Sequence, residues 1–81
     1  MASPMLFSDF ERKMRHFGVE VIAPTGGGSH FKLKKLIDRA WVIYPVARHN
    51  NRIDNVYVVK ARRRFRLRPE DGVSDAEFDA A

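Results

Sequence analysis

The stretch Gly26-Gly27-Gly28-Ser29-His30-Phe31-Lys32-Leu33 places the tightest constraint on the fold. Glycine takes positive φ freely and lets another backbone or a ligand approach closely, at a cost in conformational entropy. Three in succession therefore predict a turn or close approach that other residues would obstruct. The residues that follow alternate in character, as a strand with one wet and one dry face does. His30, Lys32 and Lys34 fall on one face, and Ser29, Phe31 and Leu33 on the other. A histidine at the mouth of a basic strand, beside a turn, is a candidate proton-transfer group because imidazole changes charge near neutral pH.

Ahead of this stretch, Ser8 and Glu11 form a capping box that predicts a helix start. Ser3-Pro4 is an alternative start, with Pro4 at the first helical position. Phe10, Met14 and Phe17 make one apolar stripe, and Gly18 ends the helix in a left-handed C′ position. Val19 to Ala23 is a β-branched, alternating strand stopped by Pro24. Beyond the glycine-led strand, Ile37-Asp38-Arg39-Ala40 lacks the Asn-Gly or Asp-Gly pair of a tight hairpin, so a longer or bulged turn is expected. Trp41 to Tyr44 is a third strand ended by Pro45, and residues 46–52 form a polar loop carrying His49.

From Asp54 to Arg68 two patterns compete. Val56-Tyr57-Val58-Val59 favours a strand by composition. Ile53, Val56, Tyr57, Ala61 and Phe65 follow helical spacing behind Asp54 as N-cap, and a helix is the expectation. Its cations crowd the C-terminal half, where they complement the dipole, and Leu67-Arg68-Pro69 closes it. Ser74 and Glu77 make a second capping box that can seed a helical turn. Helix, three strands and helix predict an α+β fold, a two-layer α-β-β-β-α sandwich. Its core would draw Phe10, Met14, Phe17, Val56, Ala61 and Phe65 from the helices. Val19, Val21, Phe31, Leu33, Trp41 and Ile43 would come from the sheet.

Charge separates the chain into two parts. Residues 1–68 hold fifteen Lys and Arg against five Asp and Glu, a balance of +10, whereas residues 69–81 hold five acids and no cation. A basic folded domain over 1–68 with an acidic tail over 69–81 is the expected organisation. So basic a domain points to a polyanionic partner, nucleic acid before membrane. With no cysteines and three scattered histidines, neither disulfides nor a metal site are expected, and no cofactor is called for. No apolar run reaches the length of a membrane span and no secretory signal is visible, so a cytoplasmic protein is the expectation. The glycine run lacks the Lys-Ser/Thr or the glycine spacing of a nucleotide loop.

The first helix ending Phe17-Gly18, the strand after it and Gly28-Ser29-His30 opening the next strand resemble the HicA toxins. Tyr44-Pro45 at the end of the third strand, the loop with His49 and the basic second helix fit the same layout. The resemblance spans about residues 8–68; the acidic segment after Pro69 lies outside it. It implies a fold similar to the double-stranded-RNA-binding domain and messenger-RNA cleavage centred on His30. It also implies a HicB-like antitoxin that covers the site.

Cleaving RNA without a metal requires deprotonating the ribose 2′-OH, stabilising charge on phosphorus and protonating the departing 5′ oxygen. Histidine can serve as acid or base at cellular pH. His30 is the expected proton carrier, with Lys32 supplying positive charge from the same face. Gly28, Ser29, Lys34, Arg62, Arg63 and Arg66 are the further expected RNA contacts, made largely to the phosphate backbone. The alternative for His30 is a strand-end residue bonded to a carbonyl. The whole domain can equally be an RNA- or DNA-binding module without catalysis. Trp41 and Phe31 are expected in the core, and Tyr44 is open between core and surface.

Overall fold

Met5 and Leu6 decide how the chain begins. In the computed structural model, which describes residues 4–81, they form a short strand, β1 (Met5–Leu6), paired antiparallel with β5 (Arg52–Ile53). The Phe7 N–H donates to Asn51 O at 2.8 Å, and helix α1 (Phe7–His16) starts directly from that anchor. The expected Ser8–Glu11 capping box does not form, because strand pairing already fixes the N-cap at Leu6, two residues earlier; Glu11 instead pairs with Arg15 at 2.7 Å. Ser3, the alternative start, lies outside the described residues. The far end follows the expectation. Gly18 (φ +81°) lets Val19 N–H reach Met14 O at 2.9 Å and Gly18 N–H reach Arg15 O at 3.0 Å, closing the helix in a Schellman turn.

Three strands follow as an antiparallel sheet in the order β2-β3-β4: β2 (Glu20–Ile22), β3 (His30–Ile37) and β4 (Ala40–Ala47). The β3–β4 hairpin is tighter than expected. Ile37 pairs directly with Ala40, leaving a two-residue turn in which Asp38 (φ +50°) and Arg39 (φ +66°) are both left-handed. That is the geometry of a type I′ turn, whose twist matches that of the flanking strands. Aspartate tolerates this region; arginine is strained there by about 1–2 kcal/mol. An ion pair from Arg66 to Asp38 at 2.7 Å adds a surface contact to the turn. Nor does Pro45 end the strand. β4 lies at the sheet edge, where a residue without an N–H is tolerated, and the pairing continues past Lys32–Pro45 to His30–Ala47.

The helices cover one face of this sheet. Phe31, Leu33, Val21 and Val46 point into the core from the strands, and Phe7, Phe10 and Met14 from α1. From the second helix, α2 (Asn55–Arg64), come Val58 and Ala61, followed by Phe65 and Leu67. Sequence reasoning misassigned three residues. Trp41 and Ile43 are 58% and 48% exposed, because the register pairs them with Leu36 and Lys34 on the outer face. Val56 is also exposed, since the inward stripe of α2 runs through Val58, Ala61 and Phe65. The helix ends at Arg64 rather than Arg68. Arg66 turns left-handed (φ +58°) and Leu67 N–H folds back to Arg62 O at 2.7 Å.

The acidic segment is packed onto this unit. After a 3₁₀ turn over Pro69–Asp71, Ser74 Oγ accepts from Glu77 N–H at 3.0 Å and starts α3 (Asp75–Ala80), as its capping box predicts. Phe78 inserts fully into the core at 1% exposure, its ring stacked 5.9 Å from that of Phe17. Lys13, only 6% exposed, donates to the carbonyls of Asp79 and Ala81 and so caps the C-terminal end of α3.

Two substitutions test this packing. Phe78→Ala removes a fully buried ring and is expected to lower stability by about 3–5 kcal/mol in urea denaturation. Arg39→Gly relieves the left-handed strain but frees the unfolded chain, and is expected to raise stability by about 0.5–1 kcal/mol.

Candidate nucleic-acid interface

The outer face of the sheet is built by parity. Because side chains alternate along β3, burying Phe31 and Leu33 obliges His30, Lys32, Lys34 and Leu36 to face water. The register then sets their neighbours on the same face. Ile22 and Pro45 flank Lys32, Glu20 and Ile43 flank Lys34, Trp41 lies beside Leu36, and Ala47 beside His30. Central-strand cations therefore run between an apolar border of Ile43 and Pro45 on β4 and a mixed one of Ile22 and Glu20 on β2.

The β2–β3 connection forms one wall at the His30 end. Gly26 (φ +80°) and Gly27 (φ +78°) take left-handed conformations that other residues resist, which accounts for two members of the glycine run. Gly28 sits where a methyl would be 3.6 Å from Pro24 Cβ, an ordinary contact. Between this loop and the strand lies an open cleft of about 270 Å³ lined by Ile22, Ala23, Pro24, Thr25, His30 and Lys32. His30 is exposed, and Lys32 stands two residues along the same face with no carboxylate paired to it among the described residues. Ser29 is half-buried, and its carbonyl accepts from Arg48 N–H at 2.9 Å, extending the β3–β4 ladder by one pair.

The expected contacts divide between two surfaces. His30, Lys32 and Lys34 share the outer sheet face, with Gly28 and Ser29 at its rim; Arg62, Arg63 and Arg66 belong to the helical layer on the opposite side. Arg62 is committed within the molecule. Its side chain is 15% exposed and donates to Leu67 O at 2.9 Å and to the Asp75 carboxylate at 2.8 Å, with the guanidinium 4.5 Å from the Phe78 ring. Arg66 is paired with Asp38. Arg63 remains open, and with Tyr44, Lys60 and Arg64 it lines a second cationic depression of about 370 Å³ beside β4. Tyr44 is half-buried on the inner face, at the edge of the core. Lys35, inward on β3, donates to Phe17 O at 2.8 Å and finishes the end of α1.

Trp41 is the residue that sequence reasoning placed wrongly and the site most involves. Lys34 Nζ rests 4.4 Å from the centre of its ring, a cation–π contact on the open face. The available signal was the pairing parity, which two-residue closure at Asp38-Arg39 fixes and a three-residue turn would have reversed. His49 stands apart from the cleft. It opens a second two-residue left-handed turn, Asn50-Asn51, and lines a different depression with Pro4, Arg52 and Asp54. Among the described residues no cluster of three or more His, Cys, Asp or Glu could hold a metal ion, and no helix is long and apolar enough to cross a membrane. No family model, curated protein or solved structure matches the chain.

The two neighbouring arginines separate structural from surface roles. Arg62→Ala strands carbonyls that it now bonds and is expected to lower stability by about 1–3 kcal/mol. Arg63→Ala is expected to stay within about 0.5 kcal/mol of the parent in the same thermal melt.

Proposed function

We propose that this chain is a metal-independent endoribonuclease that cuts messenger RNA, a toxin-like activity with His30 as its proton-transfer group. The observation that carries the reading is an exposed imidazole beside the Lys32 ammonium, which meets no carboxylate among the described residues, in an open cleft on a basic sheet face. A polyribonucleotide laid along that face brings a 2′-OH to His30 and a phosphate to Lys32. His30 takes the 2′-OH proton as the 2′ oxygen attacks phosphorus. The P–O5′ bond breaks, solvent supplies a proton to the 5′ oxygen, and the products carry a 2′,3′-cyclic phosphate and a 5′-OH. Lys32 offsets charge that builds on the phosphoryl oxygens.

With one imidazole serving the reaction, turnover is slow, which suits an enzyme whose targets need be cut only once. The resemblance to HicA toxins adds a HicB-like antitoxin as the partner that covers the cleft, and a cytoplasmic setting where messenger RNA is available. The second reading is a nucleic-acid-binding module without catalysis. It draws on the separate cationic surface of Lys60, Arg63 and Arg64, which carries no histidine.

Purified protein incubated with single-stranded RNA in excess chelator is expected to produce fragments ending in 2′,3′-cyclic phosphate. His30→Ala is expected to lower the rate by about 10²–10⁴-fold with unchanged circular dichroism. Intact RNA with the native chain, or undiminished cleavage by His30→Ala, removes His30 from the chemistry and leaves the binding module.

A further inference from the structure

Trp41 has no core to fill. Its residue surface is 58% exposed even with the Lys34 ammonium 4.4 Å from its ring, and Leu36, opposite it, is 53% exposed. Large apolar side chains left in water on a sheet face call for an occupant. Lys34 and Lys32 continue from Trp41 toward His30 along the central strand, with Ile43, Pro45 and Ile22 on either side. Glu20 is the single carboxylate on the paired strand positions of this face.

From this arrangement we infer that the outer sheet face is a single-strand binding track, with Trp41 as a base-stacking subsite upstream or downstream of the bond at His30. The inference rests on the ribonuclease reading and names its substrate class as unpaired RNA. Leu36, beside Trp41, is six residues from His30 along β3, about 20 Å of strand. A short run of nucleotides covers that length, its phosphates over Lys34 and Lys32 and its bases over the apolar β4 border of Trp41, Ile43 and Pro45. Charge complementarity selects nucleic acid over a protein partner. Lysines occupy the middle of the patch, where the centres of protein interfaces are depleted of them. An indole beside an ammonium binds a base through its π face while the cation meets the adjoining phosphate, a mode tolerant of sequence. Duplex RNA hides its bases from such a platform and reaches it only through its backbone.

The chain contains one tryptophan, so the subsite reports on itself. His30→Ala protein, chosen to slow cleavage during the measurement, is titrated with a short mixed-sequence single-stranded RNA and with the same RNA annealed to its complement. Saturable quenching of tryptophan emission by the single strand, much weaker with the duplex and relieved by salt, is the expected result. In the same background, Trp41→Ala is expected to weaken binding of a labelled single strand about tenfold by fluorescence polarisation. Because Trp41 lies outside the core, the variant keeps its circular dichroism spectrum. Binding without quenching, equal response to the duplex, unchanged affinity in Trp41→Ala or no binding at all each overturns the track. No binding at all leaves the face to a protein partner. Stacking without scission by the native chain overturns the nuclease reading alone, and scission without stacking overturns only the track.

Discussion

One two-residue turn fixes which side of this molecule meets its surroundings. By joining Ile37 to Ala40 through Asp38-Arg39, it sets eight residue pairs between β3 and β4 and with them every side chain's face. With the faces of β3 set by its own alternation, a slip of one residue would turn β4 over, sending Trp41 and Ile43 toward the helices and exposing Tyr44 and Val46. The loss of Val46, now 1% exposed, from the core disfavours that alternative. The turn is thus held by the strands as much as the strands by the turn, which explains how an arginine persists in a left-handed conformation there.

A second theme is how the basic residues are divided. Lys13 and Lys35 finish the C-terminal ends of α3 and α1, and Arg62 holds the return of the chain after α2. Each places a cation on carbonyls that no helical N–H reaches, which satisfies those groups and complements the dipole. The net positive charge of the chain therefore overstates its capacity for polyanions. What remains for a ligand is a smaller set, split between the central strand and the outward side of α2.

The sequence carried some of this plainly. Helix α1 with its Gly18 stop, the glycine-led strand and the N-cap at Ser74 all depend on neighbours close along the chain, and each forms as expected. The misplacement of Trp41 and Ile43 had a different cause. β4 is apolar on both faces, so alternation alone cannot choose between its two parities, and only pairing does. The roles of Lys13 and Phe78 were hidden for the same reason. They meet across more than sixty residues, and nothing local in an acidic segment announces that it will close a core. The face of His30 was legible because Phe31 and Leu33 beside it allow only one side to be dry.

Pro45 has a consequence beyond tolerating its place on β4. An uncovered edge strand offers a row of donors and acceptors to any passing chain, and a molecule with aliphatic and indole groups on its open face is prone to self-association through it. A proline in that row offers a neighbouring strand no N–H. Together with the brevity of β2 at the other border, three residues long, it discourages the sheet from growing into a fibre. The open face can thus stay uncovered without turning the protein into a seed for its own aggregation.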